Sequence, residues 1–425
     1  MMYTLYNILL HLFCIVFSPI LLLMILFNLY DIRQRLGYWA LDCDFSPGDG
    51  VWFHAASMGE VTALATVIRE IKKTLPQTHI AVSTSTVTGQ NRSKELIPSA
   101  DCIFLAPLDI PWAVNRVLRR LRPKALILTE TELWPTLIIR SKGRGCKIGL
   151  INGRMTEKSA RRYEWGKGLI QHTLKCFDLV CVQTESDRDR FIAFGADPGK
   201  TVVLGNIKFD LLRFLATLKK TDLTKESLSI APHSQVVVAG STRPGEEDII
   251  LSSFDRITDS QGDVVLIIAP RHVDRIGEVE QLLIKHRLEF TRRSSIHETA
   301  PRHSGVILLD TMGELSQIYS FADIAFVGGS LVPLGGHNPL EPAMWGVPVL
   351  FGPHRDNVRQ ICNLLIEGKG GIEIQDGQEF AAIVLRLLQD EDERKMRGEA
   401  ALRVVEVNSG VSTRTVQLLH ERGVL

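Results

Sequence analysis

After residue 50, short apolar runs rich in β-branched residues alternate with helix-compatible stretches, and the alternation pauses and restarts once. The first series reads VWFHA (51–55), HIAVSTS (79–85), CIFLA (102–106), ALILTE (125–130), KIGLIN (147–152), DLVCVQ (178–183) and TVVLG (201–205). The second reads QVVVAG (235–240), DVVLIIA (263–269), VILLD (306–310), ADIAFVGG (322–329), VPVLF (347–351) and GGIEI (370–374). Strands joined through helices form parallel sheets covered on both faces, because a parallel neighbour is reached only by a crossover. Two such series predict two doubly wound, Rossmann-like α/β domains in tandem. The 425-residue length suits two cores better than one. The expected division is a membrane anchor at 1–30, an α/β domain at 31–212, a linker of mixed polarity at 213–234 and a second α/β domain at 235–425. The helical run at 391–422 is free to pack back across both domains.

Residues 1–30 carry no charged side chain, and the stretch LFCIVFSPILLLMILFNLY (12–30) is long enough to cross a bilayer with Pro19 as a tolerable kink. A cleaved signal peptide is the rival, but no Lys or Arg precedes the apolar run and no small-x-small site follows it before Asp31. Arg33 and Arg35 follow the stretch, so the positive-inside rule puts the bulk of the chain on the cytoplasmic side. The net charge of +1 gives no argument for nucleic acid. Basic clusters at Arg116, Arg119, Arg120, Arg122 and Lys124, and at Arg154, Lys158, Arg161, Arg162 and Lys167, are solvated helix faces that would also suit an anionic lipid headgroup. The seven cysteines form no C-x-x-C pair, which predicts a reducing compartment and no structural zinc. The D-x-D spacings at Asp42 and Asp44 and at Asp187 and Asp189 fall in a connector and a charge-alternating helix, so no metal site is expected there.

In doubly wound sheets ligands sit outside the carboxyl ends of the strands, and the polar motifs of this chain fall at such ends. Neither series carries G-x-G-x-x-G with a following acidic residue, which disfavours a dinucleotide dehydrogenase. Glu60, in Ser57-Met58-Gly59-Glu60, has capping-box spacing, so a purely structural cap is its simplest reading. Gly59 argues otherwise, since a glycine weakens a first turn unless something must approach the backbone there. Glu130 and Glu132 end an apolar strand, where a partly buried acid needs a partner or a raised pKa. Lys208 ends the last strand of the first series, and a surface pair with Asp210 is the plainest account of it. In the second series lie Ser241 to Gly245, Pro270-Arg271-His272, Asp310 to Glu314, and the segment GGHNPLEPAMWGVPVLFGPHRDN (335–357). There Asn338 reads as an N-cap, Pro339 as the first helical residue and Glu341 as its capping-box partner, ahead of a helical run at 340–345. Such a terminus either merely caps a helix or receives a phosphate.

Taken together, the words SMGE, TETELWP, NIKFD, GSTRPGEE, APRH, DTMGEL, FVGGSL and GGHNPLEPA occur in an order that resembles the 3-deoxy-D-manno-octulosonic acid (Kdo) transferases of lipopolysaccharide synthesis. The resemblance implies a GT-B fold with two domains facing a cleft, and an inverting glycosyltransferase at the inner membrane. It implies CMP-Kdo as donor and a tetra-acylated, anionic lipid A precursor as acceptor, with no cofactor and no nucleic acid partner. By motif, Glu60 is similar to the family's general base, and Glu130 and Lys208 to its transition-state stabilisers. Pro270, Arg271, Met312, Gly313, Glu314, Asn338, Pro339, Leu340 and Glu341 are similar to its CMP site. Inversion needs a base on the acceptor hydroxyl and, opposite, stabilisation of the departing phosphate. Glu60 can supply the first, and Arg271, Lys208 and the helix N-terminus at Asn338 can supply the second, so no metal is required. The alternatives are another GT-B nucleotide-sugar transferase or epimerase, or a membrane-tethered nucleotide-sugar-binding protein without turnover.

Overall fold

The computed structural model describes residues 2–27, 31–38, 48–211, 223–296 and 305–425; the end of the expected anchor (28–30), residues 42–47 of the polar connector and 213–222 of the expected linker lie outside these. The chain divides into two compact units, Met1–Leu211 with Gly410–Leu425, and Leu212–Ser409.

The first unit holds β1 (Val51–Ala55), β2 (Ile80–Thr84), β3 (Cys102–Leu105), β4 (Ala125–Thr129), β5 (Lys147–Gly153), β6 (Leu179–Val182) and β7 (Thr201–Val203), in the order β3-β2-β1-β4-β5-β6-β7. All pairings are parallel, with Val51 facing Ile80 on one side and Ala125 on the other. Every residue of β1, β2 and β4 is buried, as expected of strands covered on both faces. The strand order reverses between β1 and β4, and Glu60, Glu130 and Glu132 follow these two strands.

The second unit holds β8 (Gln235–Thr242), β9 (Val264–Pro270), β10 (Phe290–Arg292), β11 (Gly305–Leu308), β12 (Ile324–Val327), β13 (Val349–Phe351) and β14 (Gly371–Glu373), ordered β10-β11-β9-β8-β12-β13-β14 and again parallel throughout. Alternation along the central strands sorts side chains onto two faces. Val237, Ala239, Val264, Leu266 and Ile268 join one core, whereas Val236, Val238, Val265, Ile267 and Ala269 join the other. Each fully buried aliphatic contributes about 1.5–3 kcal/mol. The reversal falls between β8 and β12, where Gly328 passes so close that a Cβ on it would lie 2.5 Å from the Ser241 carbonyl oxygen.

The final helix, Val411–Glu421, counts with the first unit, whereas the sequence reading puts 235–425 wholly in the second. The Asp210 carboxylate accepts the Gly410 and Ser412 backbone N–H groups at 2.5 and 2.6 Å, and the Thr66 and Ser412 hydroxyls meet at 2.9 Å. Asp210 therefore caps a helix two hundred residues away instead of pairing with Lys208.

Among the described residues no single helix is long and apolar enough to cross a membrane; the helices Met2–Val16 and Ser18–Leu26 pass that test only as a pair bent by 63°. Pro19 stands in the first turn of the second helix, where its missing N–H and its ring forbid continuation of the first, so the kink expected of a continuous span is a break. The first helix is fastened to its own unit, because the Tyr6 hydroxyl donates to Asp109 Oδ2 at 3.0 Å and Arg140 Nε donates to the Tyr3 hydroxyl at 3.3 Å. Cys14, Cys146, Cys176, Cys181 and Cys362 are free thiols, but Cys102 is disulfide-bonded, a departure from the reduced chain read from the cysteine pattern.

Candidate active site

In the first unit the helix Met58–Thr74 leaves the carboxyl end of β1, and Ser57 caps it by accepting the Glu60 N–H. The Glu60 carboxylate answers by accepting the Ala56 N–H at 2.8 Å and the Ser57 hydroxyl at 2.8 Å. The cap expected from the spacing is present. Yet a carboxylate that only caps is satisfied and ordinary, and Glu60 is not ordinary. Burial, with the negative charges of Glu130 and Glu132 adding to it, raises its pKa to about 7 against the pull of those two hydrogen bonds.

Glu130 follows β4, the sheet neighbour of β1, with φ 60° in the left-handed region while its N–H still pairs with the Ile151 carbonyl at 2.9 Å. A non-glycine residue held there costs about 1–3 kcal/mol, a strain that folds tolerate where the surrounding structure fixes it. Two residues on, Glu132 Oε2 accepts Trp134 Nε1–H at 2.5 Å and lies 3.6 Å from His54 Nε2. Burial pushes Glu132 up, but His54 and Trp134 more than offset it and leave the carboxyl below its ordinary value.

His54 is fully buried in β1, with Nδ1 at 2.9 Å from Ser83 Oγ, which also accepts Trp52 Nε1–H at 2.8 Å. Ser83 Oγ thus links the Trp52 and His54 rings, and the other imidazole nitrogen, Nε2, faces Glu132. A histidine in an otherwise apolar strand was the available sequence signal for this support.

Lys208 opens a helical turn after β7, at the same carboxyl edge of the sheet. Its N–H is held by Asn206 Oδ1 at 3.0 Å, and the preceding Ile207 N–H by Asn152 Oδ1 at 3.0 Å. The half-buried ammonium has no ion-pair partner among the described residues.

In the second unit, Glu246 organises the strand ends. Fully buried at the start of the helix Glu246–Ser260, it accepts four backbone N–H groups: Arg243 at 2.9 Å, Gly329 at 2.6 Å, Ser330 at 2.9 Å and Leu331 at 2.8 Å. It thereby ties the loop after β8 to the loop after β12. Above this tie, Arg243 donates from Nε to His337 Nε2 at 3.2 Å and lies 2.7 Å through Nη1 from His272 Nε2. Burial, then the charges of Arg243, Arg271 and His272, lower His337 to about 4, so it is neutral at pH 7.

The motif residues of the expected nucleotide site also sit at these strand ends. Pro270 ends β9, and the exposed Arg271 holds its N–H on the Thr242 carbonyl at 3.0 Å while its guanidinium has no partner among the described residues. Met312 is exposed, and Gly313 has φ 85°. Glu314 accepts Arg293 Nη2 at 3.1 Å and the Thr311 hydroxyl. The helical run expected at 340–345 shrinks to Leu340–Ala343, with Pro339 before it and Asn338 Oδ1 accepting the Leu340 N–H at 3.3 Å. Glu341 makes no capping-box bond; burial raises it to about 7, and only Arg271 pulls it back. A single turn aligns too few peptide dipoles to bind a phosphate by itself, so the arginines are the stronger anion ligands here.

Two all-parallel doubly wound units in tandem, each with its polar residues at the carboxyl ends of its strands, define an architecture of GT-B type. The UDP-GlcNAc 2-epimerase of Neisseria meningitidis shares it, with a TM-score of 0.64 over 88% of this chain and 100% of that chain, at 15% identity. Residues 30–211 match the profile of the 3-deoxy-D-manno-octulosonic-acid transferase (kdotransferase) family. The 3-deoxy-D-manno-octulosonic acid transferase of Haemophilus influenzae is 34% identical over 91% of this chain and 90% of its own length, and that of Chlamydia trachomatis serovar A is 32% identical over 83% and 81%. The chain belongs to this family of glycosyltransferases.

Proposed function

We propose that the protein transfers Kdo from CMP-Kdo to a tetra-acylated, anionic lipid A precursor in lipopolysaccharide synthesis, with inversion at the anomeric carbon. Glu60 takes the proton of the acceptor hydroxyl as its oxygen attacks that carbon. The bond from the carbon to the phosphate oxygen breaks, and CMP departs with the electron pair. Glu130 faces the positive charge developing on the sugar, and Lys208 and Arg271 the negative charge developing on phosphate. Pro270, Arg271, Met312, Gly313, Glu314, Asn338, Pro339, Leu340 and Glu341 hold the nucleotide.

The observation that carries this reading is the Glu60 carboxylate. It is held by one N–H and one hydroxyl, crowded by two further acids and raised to about 7, where a general base works near neutral pH. We also place the protein at the cytoplasmic face of the inner membrane, attached through the exposed apolar residues of 2–26, which include Leu5, Leu9, Leu12, Ile15 and Leu22.

Purified protein given CMP-Kdo and the tetra-acylated precursor should release CMP and raise the lipid mass by whole Kdo units. CMP should protect it from thermal unfolding where UDP does not. Binding without CMP release would make it a nucleotide-sugar-binding protein, and protection by UDP alone would make it a different GT-B enzyme.

A further inference from the structure

Arg243 is oriented in an unusual way. A structural arginine is commonly fixed by a carboxylate that cancels its charge, but Arg243 is fixed by the two imidazoles of His337 and His272, at 3.2 and 2.7 Å. A guanidinium only donates and neither ring brings a negative charge, so the rings set its plane and leave its charge intact. The depressed pKa of His337 agrees with this.

Nearby acids do not supply the missing counter-charge. Glu246 is committed to four backbone N–H groups, Glu247 is paired with Arg275 at 2.8 Å, and Glu341 is raised beside Arg271. Arg271 has no partner of its own among the described residues. The carboxyl ends of β8 and β9 thus present two guanidinium groups without committed carboxylates, one fixed in plane and one free to swing.

An activated octulosonic acid presents two anionic groups at one carbon, the phosphate ester and the acid's own carboxylate. A guanidinium has five N–H donors, and the rings engage two of those on Arg243. Three N–H donors on Nη1 and Nη2 are left for an anion, and a guanidinium is the fork-shaped group that meets a carboxylate in bidentate fashion.

We propose that Arg243, held in plane by His272 and His337, is the subsite for the carboxylate of the donor sugar, with Arg271 left to the phosphate. This rests on the CMP-Kdo reading above. It makes Arg243 a specificity determinant, because a nucleotide sugar without an acid group leaves its fork unfilled.

CMP, which lacks the sugar carboxylate, and CMP-Kdo, which has it, are the two probes. In Arg243→Gln the KM for CMP-Kdo should rise roughly tenfold to a hundredfold, the loss expected for a charge-assisted pair. Its Kd for CMP should stay within about twofold of wild type, which also reports an intact fold. Arg243→Lys keeps the charge but not the fork, should fall between the two, and carries the same comparison if the glutamine variant loses its thermal transition. Equal weakening of both probes would make Arg243 a phosphate ligand and overturn the proposal, as would no change in either. A wild-type protein that binds neither probe would instead overturn the donor reading itself.

Discussion

Glu60 is at once a helix cap and a carboxylate of abnormal acidity, and the two roles share the same contacts. Spacing alone therefore could not separate them: S-x-x-E reports the cap, whereas the raised pKa depends on burial and on Glu130 and Glu132, which arrive from a neighbouring strand some seventy residues later. For the same reason the Lys208 and Asp210 pairing expected from proximity is replaced by a contact that no local reading could find. The charge on Glu132 is maintained by Trp134 and His54, so Glu132→Gln should remove one of the repulsions acting on Glu60 and lower its pKa. A rate limited by ionisation of Glu60 rises through the base's pKa, so the acid limb of the kcat/KM profile of Glu132→Gln should move to lower pH, with the plateau mostly kept. Burial is the larger cause, so only part of the elevation should disappear. A limb that stays in place would remove Glu132 from the electrostatics of the site; a plateau reduced more than a hundredfold would make it a participant in the reaction.

At the level of elements, the strands were legible because runs such as VVLIIA are apolar on both faces, a pattern that a doubly covered parallel sheet requires. The loops between them were less so. The short helix at 340–343 lacks its expected capping box because it starts late, with Pro339 and not Asn338 at the cap position, which puts Glu341 out of register for that bond. Glu246 escaped notice because its partners Gly329, Ser330 and Leu331 lie more than eighty residues on. Its carboxylate satisfies four donors with two acceptor oxygens. Glu246→Gln turns one oxygen into a donor facing N–H groups, leaving at least one buried pair mismatched, at about 1–3 kcal/mol for each unsatisfied group. We expect the denaturation midpoint to fall accordingly and CMP affinity to weaken as the loops after β8 and β12 separate. An unchanged midpoint by chemical denaturation would show that these four bonds do not hold the loops.

On the scale of the whole molecule, two tandem domains and an apolar N-terminus followed from length and pattern, but the single span did not, since Pro19 opens a second helix where only a kink was expected. The first helix is fastened at Tyr3 and Tyr6, so the membrane attachment proposed above would rest on the apolar residues that remain exposed. Deletion of residues 1–26 should move the protein from a salt-washed membrane fraction to the supernatant with CMP affinity intact; retention in the membrane after the salt wash would assign attachment to another surface. The central claim, that Glu60 is the base of a Kdo transfer, is met most directly by Glu60→Gln assayed for CMP release from CMP-Kdo in the presence of the lipid acceptor. The glutamine oxygen can still accept the Ala56 N–H, and the Ser57 hydroxyl can turn to accept the new amide, so folding and CMP binding should stay near wild type. Transfer should fall by about 10²–10⁴-fold, the usual cost of losing a general base. Near-normal CMP release by a folded Glu60→Gln protein would contradict the account and leave Glu60 as a cap.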